Sequence, residues 1–175
     1  MTLTASLSNR LAGFTGKEMS LLGETEAEFS SEPGYLDTLI SLSSSEHSSG
    51  ATWLLKFWCE SGHPVSEAQT DALITHLGSR EDWPTQLHLC QLSSFLNLEE
   101  ANARRLGNWA AGLIQHKRPF VRAWALNALC ISAGTATALL PQARRALKVA
   151  SEDQAASVKA RARSILKQYK SLFEP

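Results

Sequence analysis

The chain has 175 residues, with 17 lysines and arginines against 17 aspartates and glutamates, so its formal net charge is zero. This length suits one domain with a sizeable hydrophobic core. No apolar run is long enough to cross a bilayer, and the N-terminal residues lack the basic and apolar segments of a secretory signal. We therefore expect neither contact with a membrane nor a signal peptide.

Residues 1–30 show the weakest helical pattern in the chain. Leucines at every fourth position predict a short first helix, and a second helix would run from Lys17 to Phe29 with few apolar anchors. We expect a capping segment that covers the first repeat, because the terminal units of stacked helical arrays need one. The apolar positions of these two helices are Leu3, Leu7, Leu11, Met19, Leu22 and Phe29.

Two helical hairpins are predicted between residues 31 and 96. The first has a helix opened by Pro33, a serine-rich loop over residues 41–49 and a second helix over residues 50–60. The next hairpin starts with a capping box at Ser66 and Gln69. The predicted apolar residues of the first hairpin are Tyr35, Leu36, Leu39, Ile40, Trp53, Leu54, Phe57 and Trp58. Those of the next hairpin are Ala68, Ala72, Leu73, Leu77, Leu87, Leu89, Cys90, Leu92, Phe95 and Leu96.

The most regular pattern begins at Pro119. This residue suits the first turn of a helix, where the missing N–H would have no partner, and Gly134 suits the end of that helix. The preceding helix would be capped by Asn97 and would lead through residues 115–118 into an antiparallel hairpin. The apolar stripe predicted for the helix that Pro119 opens is Val121, Trp124, Ala125, Ala128, Leu129 and Ser132.

A fourth hairpin is predicted from Ala136 to Tyr169, with its turn at residues 151–154. When the second helices of the four hairpins are aligned, they repeat at spacings of 34, 36 and 37 residues, and such periods indicate stacked helical hairpins. No segment alternates with period two over a useful length, so the predicted fold class is all-α. The aligned positions are Ala51, Thr85, Val121 and Val158.

The last two hairpins share residues at fixed positions. Those of the fourth hairpin are Leu139, Leu140, Pro141, Asp153, Val158, Lys159, Ala162 and Leu166, and those of the third are Val121, Arg122, Ala125 and Leu129. This arrangement resembles the HEAT-repeat family, whose unit reads leucine-leucine-proline, an aspartate turn, and then valine-arginine with an alanine and a leucine four and eight residues after the valine. The resemblance implies a right-handed α-solenoid of about four hairpins over residues 31–175, following the capping segment of residues 1–30.

The same resemblance implies a structural role for two basic residues and a class of partner. Arg122 and Lys159 occupy the position that often pairs with the turn acid of a neighbouring repeat. Proteins similar to this family usually bind other proteins along a concave face, and some relatives bind DNA. The motif itself encodes packing, so it indicates the fold more strongly than the function.

Charge is unevenly distributed along the chain. Residues 1–97 contain 4 basic and 12 acidic residues, whereas residues 98–175 contain 13 basic and 5 acidic ones, which gives balances of −8 and +8. This difference is either ordinary variation on solvated helix faces or a basic surface for an acidic partner. A third interpretation of this difference is head-to-tail self-association through the oppositely charged halves.

No motif for catalysis or metal binding stands out. The five histidines never lie near one another or near a cysteine at a strong metal spacing, and neither a glycine-rich phosphate loop nor a nucleophile elbow is present. We therefore expect no enzyme activity, no cofactor and no metal. Cys59, Cys90 and Cys130 lie within apolar helical runs, which favours reduced thiols and a cytoplasmic location.

Two hypotheses for function remain. The first is a non-catalytic scaffold that binds a protein through a concave surface lined by second helices. The second is a nucleic-acid-binding protein that uses the basic C-terminal half, where Lys159, Arg163 and Lys167 form either a phosphate-binding stripe or an ordinary solvated face. The residues predicted to contact a partner are Lys56, Trp83, Gln86, Arg118, Arg122, Asn127, Lys159 and Arg163.

Overall fold

The computed structural model describes residues 2–79 and 81–173. Regular structure within these two ranges is helical, with no β-strand among them, which confirms the predicted all-α class. The α-solenoid arrangement and its right-handed sense stay predictions. The α-helices are α1 (Leu3–Leu11), α2 (Met19–Phe29), α3 (Tyr35–Leu42), α4 (Ser48–Glu60), α5 (Glu67–Thr75), α6 (Trp83–Leu92), α7 (Glu100–Leu113), α8 (Pro119–Thr135), α9 (Leu140–Ser151), α10 (Ala156–Gln168) and α11 (Lys170–Phe173), with a short 3-10 helix (Thr137–Leu139) before α9.

The chain divides into two compact units, the first ending at Leu89 and the second beginning at Cys90. Helix α6 starts in the first unit and ends in the second. The predicted division at residue 30, between a capping segment and a repeat domain, stays a prediction. The second helices of the four predicted hairpins are α4, α6, α8 and α10.

Helices α1 and α2 form an N-terminal pair. Leu7 and Leu22 are fully covered, in agreement with the leucine spacing. Helix α2 begins two residues later than predicted, because the Glu18 carboxylate accepts hydrogen bonds from the Thr15 N–H at 2.7 Å and from its hydroxyl at 2.6 Å. These bonds hold the chain in a turn before Met19, which is 47% exposed and is not the anchor that the sequence predicts.

Helices α3 and α4 form the first predicted hairpin. All four apolar residues predicted for α3, from Tyr35 to Ile40, are buried. Helix α4 begins at Ser48, so the serine-rich loop is shorter than predicted. Phe57, predicted as a core residue of α4, is instead 40% exposed and stacks on Trp53 with 5.5 Å between ring centres.

Side-chain hydrogen bonds join this hairpin to the next one. The predicted capping box of Ser66 and Gln69 is present, and Gln69 Nε2 also donates to Asp37 on α3 at 2.8 Å. At the start of α6, Asp82 accepts a hydrogen bond from the Ser48 hydroxyl on α4 at 3.2 Å. These bonds connect residues that are 32 and 34 positions apart, close to the predicted hairpin period.

His88 provides a further link between α6 and α4. Its Nδ1 lies 3.1 Å from the Thr52 hydroxyl, and that hydroxyl donates its own proton to the Ser48 carbonyl oxygen at 2.7 Å. The ring nitrogen is therefore the donor in the contact with Thr52. Burial of the ring, reinforced by the nearby Lys56 ammonium, lowers the pKa of His88 to about 4.

Helix α8 lies at the centre of the second unit, where it packs against α7, α9 and α10. It begins at Pro119, as the sequence predicts, but it runs to Thr135, so Gly134 lies within its last turn and does not end it. The predicted apolar stripe is too narrow, because three helices surround α8 and cover nearly its whole circumference. Its buried residues are Val121, Ala123, Ala125, Leu126, Asn127, Ala128, Leu129, Cys130, Ser132 and Ala133.

Helix α7 precedes α8 and forms the predicted hairpin with it. Asn97 does not cap α7, contrary to the prediction. The backbone is still extended at Glu99, where ψ is 163°, so the first helical residue is Glu100. An N-cap side chain has to come from the residue directly before the helix, and Asn97 is too far upstream for that contact.

Gly107 allows α7 to approach α8 closely. A Cβ atom at this position would lie 2.9 Å from Ser132 Cβ and would also overlap the Leu139 side chain. Both neighbours are buried, so they have little room to move away. Gly112 on the same helix has no atom within 4 Å of a Cβ position.

Helices α9 and α10 form the fourth hairpin, with a turn over residues 152–155. This agrees with the predicted turn at residues 151–154 to within one residue. Leu147 on α9 and Val158, Ala162 and Ile165 on α10 are buried in the same core as α8. Val158 and Ala162, two of the residues that carry the family resemblance, therefore pack in the core of the second unit.

The packing at Gly107 predicts opposite effects for two glycine substitutions. Gly107→Ala should lower the free energy of unfolding by about 1–3 kcal/mol, because the added methyl group overpacks the contact with α8. Gly112→Ala should leave it unchanged or raise it by up to about 1 kcal/mol, because alanine favours the helix and meets no neighbour. Urea denaturation of both variants measures the difference, and equal effects would show that α7 and α8 are not in tight contact at Gly107.

Burial of His88 predicts a loss of stability in mild acid. Its pKa is lower in the folded chain than in the unfolded chain, so the unfolded chain binds more protons between about pH 6.5 and pH 4. The contribution to the free energy of unfolding is complete above that window and should fall by about 2 kcal/mol between pH 7 and pH 5. Urea denaturation at several pH values should show this dependence weakened in His88→Gln, and an unchanged pH dependence would contradict it.

Candidate functional site

A shallow groove lies between α8 and α10 in the second unit, with a volume of about 270 Å³. Phe120 and Trp124 border it on α8, and Arg161 borders it on α10. Small side chains line the space between them, which leaves the groove open. These small residues are Ala123, Ser157, Ala160 and Ser164.

The start of α8 determines where the aromatic wall of the groove points. Pro119 is the first helical residue, and Val121 is fully buried against the core. Phe120 lies between them in sequence, about 100° around the helix from Val121, and is 64% exposed. Trp124 follows one turn later on the same side of the helix. Two neighbouring aromatic rings at the surface suit contact with a protein, since aromatic residues are enriched in the centres of interfaces.

Arg161 forms the opposite wall of the groove. Its guanidinium carbon lies 3.7 Å from the centre of the Trp124 ring, which is a cation–π contact between α10 and α8. Burial lowers the pKa of Arg161 from its usual range, but a guanidinium remains protonated at neutral pH. The groove therefore presents a fixed positive charge beside an exposed apolar ring.

The predicted basic stripe, Lys159, Arg163 and Lys167, lies on the same helix α10. Arg163 and Lys167 are exposed, and Lys159 is half-buried. Within residues 81–173 none of the three makes a hydrogen bond or an ion pair. Arg161 is the basic residue of α10 that lines the groove, and the three residues of the stripe add positive charge elsewhere on the same helix.

Arg122 and Asp153 form a bidentate ion pair that lines a second cleft, distinct from the α8–α10 groove. Arg122 Nε and Nη2 donate to the two Asp153 oxygens at 3.1 and 2.9 Å, and Nη1 donates to the His116 carbonyl oxygen at 2.9 Å. Asp153 also accepts a hydrogen bond from the Ala155 N–H at 2.8 Å. The bonds from Arg122 and this backbone N–H lower the pKa of Asp153 below its usual range.

This ion pair is the contact that the resemblance to HEAT repeats predicts for Arg122, because Asp153 lies in the turn of the following hairpin. Lys159 makes no such pair with a carboxylate among residues 81–173. All the hydrogen bonds of Arg122 serve to join α8 to the α9–α10 turn. Arg122 is therefore a structural residue in this fold, and its guanidinium has little capacity left for a partner.

The cleft above this ion pair has a volume of about 280 Å³ and lies beside α9. Its walls are mostly apolar and include Ile114, Leu126 and Val149, of which Val149 is 71% exposed. The charges of Arg122 and Asp153 cancel each other at its floor. No buried polar atom in its lining is left without a hydrogen bond among the described residues.

The structure separates the remaining predicted contact residues of the second unit into exposed and buried ones. Arg118 is exposed directly before α8, close in sequence to Phe120, and Arg163 is exposed on α10. Asn127 is only 5% exposed and donates a hydrogen bond to the Ser94 hydroxyl at 3.3 Å. Its side chain cannot reach a partner in this conformation, because the Ser94 contact and the surrounding helices cover it.

The predicted contact residues of the first unit differ in how far they are exposed. Lys56 pairs with Glu60 at 2.8 Å on the same helix, and Trp83 is 39% exposed at the start of α6. Gln86 is only 8% exposed and its Oε1 has no hydrogen-bond partner among the described residues. Whether Lys56 and Trp83 contact a partner stays a prediction, whereas Gln86 is too well covered to do so directly.

Three groove residues were missed from the sequence: Phe120, Arg161 and Trp124, of which Trp124 was placed on the apolar stripe of α8 but is only half-buried. A signal for Phe120 was present, because it directly precedes the buried Val121 and lies one turn before Trp124. Arg161 was missed because it lies three residues after Val158, outside the four-residue spacing of the basic stripe. Its contact with Trp124 depends on how two helices pack, which the sequence pattern does not specify.

The described residues hold no cluster of three or more histidine, cysteine, aspartate or glutamate side chains that could hold a metal ion. All three cysteines are buried, as the sequence predicts, and none forms a disulfide. Burial raises the pKa of the Cys59 thiol to about 11 and that of the Cys130 thiol to about 12. These thiols are therefore poor nucleophiles at neutral pH.

None of the helices in residues 2–79 and 81–173 combines the length and the apolar character needed to cross a membrane. Comparison of the chain with protein-family models, with curated proteins and with solved structures finds no match. The resemblance to HEAT repeats accordingly rests on the motif residues of the third and fourth hairpins alone.

The ion pair between Arg122 and Asp153 predicts a strong coupling between these two residues. Arg122→Ala and Asp153→Ala should each lower the free energy of unfolding by about 1.5–3 kcal/mol, and the double variant by less than the sum of the two. The coupling should be complete above the ordinary aspartate pKa of about 3.9 and should be lost only as the pH falls further, through the lowered pKa at which Asp153 is protonated in the folded chain. Urea denaturation of the double-mutant cycle measures it.

The control for this cycle is the exposed pair of Arg104 and Glu100 on α7, which has a distance of 2.6 Å and side chains that are 56% and 67% exposed. Arg104→Ala should change the free energy of unfolding by about 0.5 kcal/mol or less, since solvent screens an exposed pair. If the coupling energy between Arg122 and Asp153 were also about 0.5 kcal/mol or less, their contact would not stabilise the fold.

Proposed function

We propose that the chain is a non-catalytic HEAT-like scaffold, a right-handed α-solenoid whose second helices line a concave face that binds a protein partner. The observation that carries this proposal is the α8–α10 groove, in which the exposed Phe120 lies beside the pair of Trp124 and Arg161. Aromatic residues and arginine are the commonest anchors of protein interfaces. The buried thiols favour the cytoplasm as the proposed location.

A protein partner is favoured over nucleic acid by the way the aromatic rings are used. Surfaces that bind single strands stack successive bases on open aromatic faces. In the groove, the Arg161 guanidinium covers one face of Trp124, so Phe120 is the ring with the larger exposed area. The exposed charges of Arg163 and Lys167 would attract an acidic protein segment as readily as a phosphate backbone.

The proposal predicts that the apolar contact of Phe120 is needed for partner binding. A tagged chain should retain a protein from extract of its native cells, and Phe120→Ala should weaken the purified interaction by about tenfold or more. Val149→Ala, which shortens an equally exposed apolar side chain outside the groove, should have little effect. Titration of the purified partner with all three proteins measures the affinities.

The competing hypothesis, that the chain binds nucleic acid, is tested on the same proteins. Fluorescence anisotropy with a labelled duplex and a labelled single strand, at a low salt concentration of about 50 mM, should show no binding. Tight binding that weakens steeply with salt and does not depend on Phe120 would overturn the protein-binding function in favour of the nucleic-acid hypothesis.

A further inference from the structure

The two compact units carry opposite net charges. The unit ending at Leu89 contains 4 basic and 12 acidic residues, and the unit beginning at Cys90 contains 13 basic and 5 acidic ones, since residues 90–97 contain none of either kind. The balances are therefore −8 and +8, while the whole chain is neutral with an isoelectric point near 7.0. A neutral chain lacks the long-range repulsion that keeps copies of highly charged proteins apart.

One positive charge of the second unit lies directly beside an apolar anchor, and further exposed cations lie on the same helix. Arg163 and Lys167 are exposed and make no ion pair within residues 81–173, and Arg161 borders the groove next to Phe120. A surface of this kind fits a partner that offers several carboxylates around an apolar patch.

The first unit has both of these features. Glu24, Glu32 and Glu67 are exposed, and no hydrogen bond or ion pair of their side chains exists among the described residues. The same unit exposes large apolar side chains, with Met19 at 47% and Phe57 at 40% exposure. It therefore offers unpaired carboxylates together with apolar surface, and its net charge is equal and opposite to that of the unit that holds the groove.

We propose that the α8–α10 groove binds the acidic first unit of a second copy of this chain. This inference rests on the proposed function, because it names the protein that occupies the same groove. Opposite charges draw the two units together over a distance, and burial of the Phe120 ring then provides contact energy at short range. Because each copy carries one acidic and one basic unit, the contact either closes an antiparallel dimer or continues from copy to copy.

Sedimentation velocity and light scattering on the purified full chain test the proposal. At about 50 mM NaCl the weight-average mass should rise above that of the 19.1 kDa monomer as the protein concentration increases to about 100 µM. At about 500 mM NaCl the association should weaken by about tenfold or more, because salt screens the attraction between exposed charges. A monomer at every concentration in low salt would overturn the proposal.

Two pairs of variants distinguish the groove from charge in general. Arg161→Glu should weaken self-association by about tenfold or more, whereas Lys148→Glu should weaken it by about threefold or less. Both make the same change in charge within the second unit, but Lys148 is exposed on α9 outside the groove. Phe120→Ala and Val149→Ala form the matching apolar pair. Equal effects within both pairs would contradict the assignment of the groove.

Charge reversal in two complementary variants provides the decisive measurement. The double variant Glu24→Lys and Glu32→Lys should associate weakly with itself, and so should Arg161→Glu with Arg163→Glu. A mixture of the two doubles should form a mixed species more tightly than either variant associates alone, because an intact acidic unit can then meet an intact basic groove. Absence of the mixed species, with both proteins folded by circular dichroism, would contradict the pairing of units.

Failure of this inference and failure of the proposed function give different results. If the chain is monomeric but Phe120→Ala still abolishes binding of a partner from the cell, the groove binds a different protein and only the self-association is wrong. If the chain associates and none of the groove variants weakens it, the contact lies elsewhere and the inference is wrong. Thermal melts of all variants confirm that each change acts on a folded protein.

Discussion

Helix α8 can be surrounded by three helices only because so many of its residues are small. Four alanines on α8 are buried, Gly107 on α7 leaves no side chain where the two helices meet, and Ser132 faces it from α8. Close approach of helix axes replaces the contacts that larger side chains would have made. A larger side chain at this contact would overlap its neighbours. The position of α8 within the second unit is therefore tightly determined by the helices around it.

This fixed position determines the surface that is left. The middle of α8 is mostly covered, whereas its start and its last two residues are exposed. Phe120 and the half-buried Trp124 lie at the edge of α10. The ion pair of Arg122 and Asp153 holds the start of α8 to the turn before α10. The groove is thus formed by two packed helices that this ion pair joins at one end, and a preformed groove would lose little conformational entropy on binding a partner.

The helices and hairpins of the second unit could be predicted from sequence, whereas the groove could not. Pro119 marked the start of α8, and the spacing of Val121 and Val158 marked equivalent positions in two hairpins. The resemblance also predicted the partner of Arg122. Asn97, Met19 and the width of the α8 core were predicted wrongly, because caps depend on local backbone angles and burial depends on how many helices surround an element. The pairing of Trp124 with Arg161 depends on helix packing in three dimensions, which a one-dimensional pattern does not contain.

The distribution of charge is the feature that packing does not explain. Within a helical hairpin, the residues that face the core determine the fold, and those that face solvent can carry either charge at little cost in stability. The carboxylates of the first unit and the cations of α10 are mostly on such solvent-facing positions, where they make few ion pairs among the described residues. Charges that neither cap helices nor pair within the fold contribute mainly to long-range attraction between molecules. This asymmetry is therefore explained by contacts between molecules better than by packing, and in the α8–α10 groove one of these positive charges, that of Arg161, lies beside an exposed apolar ring.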